Sequence, residues 1–179
     1  MIIHLNGMTG VGKLTVGKLL AGKLGARLID NHSVLDLVTA VHVRRTPLYF
    51  VMIDKIMDVV FNEISTLPKE QIFIFTNCLS TTHAEDMARQ DAIANFAAVD
   101  NRPFIQVMLT CTLEENKKRV ISADRTSKRK LLDPVILEDL CQRLTMYHPL
   151  AEHMLTIDTT DKIPETTAEE IASFALNIK

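Results

Sequence analysis

Short apolar runs alternate with longer amphipathic stretches along this chain. IIHLN (2–6), ARLID (26–30), QIFIFTN (71–77), FIQVMLT (104–110) and HMLTID (153–158) are short, apolar and mostly bounded by polar residues, which predicts strands. Helical patterns fill 12–24, 33–44, 48–66, 82–99, 112–123, 134–147 and 164–178. Pro47 breaks the second of these from the third, and Pro134 and Pro164 stand at first-turn positions after Asp133 and Ile163. Near-continuous apolar strands separated by helices predict a parallel sheet covered on both faces, hence an α/β fold with five strands. No repeat, linker or low-complexity tract divides the chain, so a single domain over 1–179 is expected.

Composition adds little to that picture and removes some alternatives. With 47% hydrophobic and 23% charged residues and a net charge of −2, the chain does not read as a nucleic-acid binder or a polybasic membrane protein. Cys78, Cys111 and Cys141 are far apart and odd in number, so neither a zinc site nor a disulfide framework is implied. The apolar start MIIHLNG lacks a basic flank and stops too soon for a signal or membrane span, and a cytoplasmic protein is the expectation.

All six glycines lie between Gly7 and Gly25. Their confinement excludes the DxxG of GTPases, the DFG of protein kinases and the GxSxG of α/β-hydrolases, none of which can be written with the remaining residues. It also marks where backbone approaches a ligand. NGMTGVGKLTVGKLLAGKLG (6–25) matches GxxxxGK three times, at Gly7 to Lys13, Gly12 to Lys18 and Gly17 to Lys23. A phosphate loop needs a strand before it, inward-facing N–H groups, and a helix whose positive end meets the anion. Only Gly7 to Lys13 has that context. The other two matches lie inside a helix, where the amides already bond carbonyls four residues back. Gly17 and Gly22 are then expected to let the helix pack closely on the sheet, with Lys18 and Lys23 as surface charges. Gly7, Gly10, Val11, Gly12, Lys13, Leu14 and Thr15 are the expected phosphate-binding set.

Leu14 stands where such loops place a Ser or Thr hydroxyl on Mg²⁺. Thr15 carries a hydroxyl one residue on, rotated about 100° around the helix. Mg²⁺ keeps several waters and takes few protein ligands, so water steadied by a carboxylate can fill the place. Asp30, at the carboxyl end of the second strand, is the candidate. It can also act as base toward an acceptor hydroxyl, or simply cap the next helix, a task that Ser33 can perform equally well. His32 is a weaker candidate for a substrate contact.

GMTGVGK, LIDNH, VMLTCTLEENKKRV and LTIDTTDKIPETTAEEI together resemble small P-loop kinases of the shikimate kinase, gluconate kinase and chloramphenicol phosphotransferase group, over essentially the whole chain. The resemblance implies a nucleoside-monophosphate-kinase-like P-loop NTPase fold of three layers, strand order 2-3-1-4-5, ATP with Mg²⁺, and γ-phosphoryl transfer to a small hydroxyl acceptor. It places a lid at about 119–133, overlapping the basic stretch KKRVISADRTSKRK (117–130), with Arg125 closing on the nucleotide and Arg119 and Arg129 behind it. DTTDKIP (158–164) falls at the adenine side. Two departures make shikimate itself a poor expectation: TNCLS replaces a glycine triplet after strand three, and His32 replaces a second Asp.

The basic stretch has no interleaved aromatic residues for base stacking, so a nucleic-acid partner is not expected. The acceptor pocket is expected from about 31–70, where Arg44 and Arg45 can grip an acidic group, and from Asn77 at the end of strand three. Two alternatives stay open: a nucleoside, nucleotide or polynucleotide kinase, and a nucleotide-binding protein with little catalysis, which Leu14 motivates. A monomer or homodimer fits either.

Overall fold

The structure is a computed structural model and describes residues 1–121, 133–148 and 151–178. Five parallel strands, β1 (Ile2–Asn6), β2 (Arg27–Asp30), β3 (Phe73–Thr76), β4 (Phe104–Thr110) and β5 (His153–Asp158), form one sheet in the order β2-β3-β1-β4-β5. This is the order the resemblance implies. β1 lies at the centre, with Ile2 opposite Phe73 on one side and Phe104 on the other, and all five of its residues are buried.

Alternation along β1 assigns its two faces. Ile3 and Leu5 pack with Val16 and Leu20 of α1 (Lys13–Leu24) and with Ala168, Ile171 and Ala172 of α7 (Pro164–Leu176). On the other face, Ile2 joins Phe73, Phe75, Ile64 of α3 (Pro47–Ser65), and Ile93 and Ala97 of α4 (Ala84–Val99). Each fully buried aliphatic side chain contributes roughly 1.5–3 kcal/mol. That second face reads Ile2, His4, Asn6 towards the carboxyl end, apolar first and then polar. Asn6 spends its side chain on Leu79 (N and O) and Tyr147 (O), which fixes the loop after β3. At the opposite end of the sheet, buried Arg102 donates to Asp100 and to carbonyls of residues 64–71, tying the α3–β3 connection to β4.

The predicted strands all form, and the helices differ at their ends. α2 spans Asn31–Thr39, not 33–44, so Ser33 lies inside the helix and cannot cap it. α6 spans Pro134–Arg143 and stops short of 147, because residues 144–147 turn back to brace the β3 loop: Ser80 pairs with Met146, and Tyr147 N donates to Leu79 O at 2.9 Å. Thr46, Thr112 and Asp133 cap α3, α5 (Leu113–Val120) and α6 through their side chains. Gly17 packs as expected, since a Cβ there would lie 3.1 Å from Leu28. Gly22 does not: open space surrounds it, and its expected packing role is withdrawn.

Candidate functional site

Residues 7–12 turn from β1 into α1 at the carboxyl edge of the sheet. Gly10 is called for there by its backbone angle, and a Cβ would also press on a neighbouring side chain. Its φ is +97°, and a Cβ would stand 1.9 Å from Asn116 Oδ1. Gly12, at φ +99°, is the N-cap of α1, and no side chain caps the helix or places an acid in its first turn. The amides and the positive end of the helix dipole are therefore left to a ligand. Lys13 opens the helix and folds its ammonium over the loop, donating to Gly7 O at 2.6 Å and Met8 O at 2.8 Å. Thr159, after β5, supports the loop from behind, its hydroxyl 3.3 Å from Val11 O and 2.9 Å from Thr110 O.

This loop forms one wall of a cavity of about 760 Å³. Gly10, Val11, Gly12, Lys13, Leu14 and Thr15 all line it. Asp30 and His32 face it from the β2–α2 junction, Asn77 from the end of β3, and Arg119 from α5. Arg119 holds the β5–α7 loop, donating to Thr159 Oγ1 at 2.9 Å and Thr159 O at 2.6 Å, while Glu115 accepts from its Nε. Arg44 and Arg45 lie elsewhere, exposed on the α2–α3 turn, and line neither this cavity nor the next. Arg125 and Arg129, with most of the expected lid, fall outside the described residues.

Asp30 occupies the N-cap position of α2, yet its carboxylate makes no capping bond. Instead the Thr76 hydroxyl donates to Asp30 Oδ1 at 2.9 Å and accepts from the Asn31 amide at 3.4 Å. Thr76 thus takes over part of the capping, and Asp30 stays on the cavity's lining.

Beneath this junction lies a polar cluster that the sequence reading did not identify. His4 is fully buried, with Nε2 3.0 Å from Asn77 Oδ1 and Nδ1 3.0 Å from Gln106 Oε1. Gln90 of α4 donates to the same Gln106 oxygen at 2.6 Å. Burial pushes the imidazole down to about 4, so it is neutral at pH 7. A neutral ring has one N–H, so it donates to one of these two amide oxygens. Asn77 Nδ2 donates in turn to Asn31 Oδ1 at 3.2 Å. The signal in the sequence was a histidine in the middle of a fully buried central strand.

A second cavity of about 330 Å³ adjoins the first, and Asn31 and Asn77 line both. It lies between α3 and α4. Phe50, Ile53, Met57 and Phe61 form its apolar wall, Arg89 faces them from α4, and Asp54, Asp58 and Glu85 stand exposed at its rim. The guanidinium of Arg89 lies 5.2 Å from the Phe50 ring centroid, with Nη1 3.9 Å from Asp86. Burial pushes Asp54 up from the ordinary carboxylate range, Arg89 opposes that, and Asp58 adds to it.

The residues present fit a nucleotide's phosphates: a glycine-rich cradle, an uncapped helix end and a lysine, in a cavity of ordinary ligand size. For a metal ion the fit is sparer. Among the described residues no three His, Cys, Asp or Glu side chains cluster, which leaves Asp30 as a carboxylate able to hold a hydrated ion beside phosphate oxygens. Among the described residues no helix is long and apolar enough to cross a membrane.

Comparison with known proteins bears on the fold. No curated protein sequence compared with this chain matches it. Among solved structures, shikimate kinase from Acinetobacter baumannii in complex with shikimate is 22% identical, with a TM-score of 0.57 over 99% of this chain and 95% of that one. The Mycobacterium tuberculosis APS kinase in complex with AMPPNP and APS is 15% identical, with a TM-score of 0.64 over 98% and 97%. A gluconokinase from Sinorhizobium meliloti is 12% identical, with a TM-score of 0.62 over 98% and 91%. These likenesses establish the nucleoside-monophosphate-kinase-like P-loop fold. The AAA domain family matches residues 3–143, which includes the phosphate loop, Asp30 and the whole of the smaller cavity, and the chain belongs to that family.

Proposed function

We propose that this protein is an ATP-dependent phosphotransferase that moves the γ-phosphoryl group to a hydroxyl of a small molecule. The observation that carries the reading is the placement of Lys13 with its glycine loop and Asp30 on walls of one cavity, beside a second, smaller space. Lys13 and the amides at the start of α1 hold the β- and γ-phosphates. An acceptor oxygen attacks the γ-phosphorus, the bond to the β–γ bridging oxygen breaks, and Asp30 accepts the hydroxyl proton on the oxygen that Thr76 does not engage. Mg²⁺, when bound, neutralises phosphate charge, and Asp30 and Thr15 are the side chains that would hold its water shell where Leu14 offers none. Arg119 lines the nucleotide side, and Arg125 keeps the role the resemblance gives it, stabilising the transferred charge.

The test is transfer from labelled ATP to a panel of hydroxyl metabolites, with ATP affinity measured beside it. Lys13→Ala removes charge-assisted hydrogen bonds worth roughly 1.5–3 kcal/mol each, so ATP affinity should fall about ten- to over a hundredfold. Unchanged ATP affinity in Lys13→Ala would overturn the site. Tight ATP binding without Mg²⁺ dependence and without transfer to any compound would instead favour a nucleotide-binding protein with little catalysis.

A further inference from the structure

We propose that the smaller cavity is the acceptor subsite and that it admits an uncharged or amine-bearing hydroxyl compound while rejecting phosphorylated acceptors. This rests on the larger cavity being the nucleotide's.

The spacing on α3 builds the subsite. Phe50, Ile53, Met57 and Phe61 recur at intervals of three and four and so share one face, and Asp54 and Asp58 follow on its flank. Opposite them, Ala88 and Ala92 of α4 leave the room that larger side chains would fill. At about 330 Å³ the space lies near the lower end for small-ligand sites, enough for one ring or a short chain. Its neck is Asn31 and Asn77, which places a hydroxyl emerging from it next to Asp30.

Charge sets the chemistry. Arg89, the one cation on the cavity's lining among the described residues, is pinned over Phe50. Around it, three carboxylates (Asp54, Asp58 and Glu85) outnumber the single guanidinium, which Asp86 already attends. A phosphate dianion entering here would meet an excess of negative charge, whereas an ammonium group would relieve it. That charge balance disfavours nucleotides and polynucleotide ends as acceptors, even though the basic stretch elsewhere in the chain could be read as inviting them.

The test uses ligand-observed NMR with the full chain and a charge-sorted set of hydroxyl compounds: methyl glycosides, hexosamines, aryl amides and amines, sugar acids and sugar phosphates. Ala88→Phe fills the cavity from an exposed helix position and defines which signals belong to it. Binders lost on Ala88→Phe should be neutral or amine-bearing. Asp54→Asn/Asp58→Asn should weaken the amine-bearing ones on the order of tenfold. The proposal is overturned if the compounds lost on Ala88→Phe are mainly sugar phosphates or acids, if the paired Asn substitutions change nothing, or if no compound responds to Ala88→Phe. ATP binding and its loss in Lys13→Ala are read in parallel samples. Their failure would defeat the nucleotide reading and leave the charge preference of the smaller cavity to stand or fall by its own data.

Discussion

Around the larger cavity much of what meets a ligand is main chain: the turn through Gly10 and Gly12 and the uncapped start of α1, with one lysine added. Around the smaller cavity it is side chains on two regular helices, with no glycine and no unusual backbone in α3 or α4. The first kind of site serves a ligand whose chemistry is constant, since every residue's amide offers the same donor. The second kind can be rewritten one side chain at a time without disturbing a fold. The difference suggests a division of labour, a fixed nucleotide end and an adjustable acceptor end, and each experiment below is chosen to break or refine it.

The largest effect is expected where the two regions meet. Asp30→Asn keeps an oxygen for the Thr76 hydroxyl but cannot take a proton, so the transfer rate should fall about 10²- to 10⁴-fold with ATP affinity little changed. A variant that transfers at the parent's rate would remove Asp30 from the chemistry and leave the two regions without a common reaction centre.

The next concerns the shared floor. His4 is held at about 4 against an ordinary 6.5, so its neutral form belongs to the folded protein and its charged form to the unfolded chain. Stability from this source is complete above pH 6.5 and is lost as the pH falls towards 4, in all about 3 kcal/mol. Denaturant midpoints measured across that window should decline more steeply in the parent than in His4→Gln. Equal slopes would show that the cluster beneath Asn77 does not carry the pH dependence.

The smallest effect sharpens the nucleotide side. Leu14→Ser restores a hydroxyl at the head of α1, and the apparent affinity for Mg²⁺ in the transfer assay should rise severalfold, about 1 kcal/mol. No change would mean that carboxylate and water already satisfy the ion.

The same contrast explains what could be read in advance. The phosphate loop was legible because its constraint is local: a strand, a glycine turn and a helix adjacent in sequence, with Gly10 at a backbone angle that side chains rarely adopt. The five strands were legible as apolar runs, although their order came only through resemblance. The wall of the smaller cavity was not legible, because Phe50 and Arg89 meet only after α3 and α4 pack together, and no short-range pattern announces that meeting. Arg44 and Arg45 drew attention as a charged pair, but a pair of charges says nothing about the direction a turn faces. Arg89 carries its own faint mark: a cation beside Asp86, Gln90, Ile93 and Ala97, the buried side of α4. The start of α2 was misplaced because its capping depends on Thr76, forty-five residues beyond Asn31.

Asn77 is the party wall of this molecule. It borders both chambers, leans on His4 and steadies Asn31, so an exchange there is felt on both sides at once. Descendants of such a protein would find new acceptors by altering the panelling of α3 and α4 while leaving that partition where it stands.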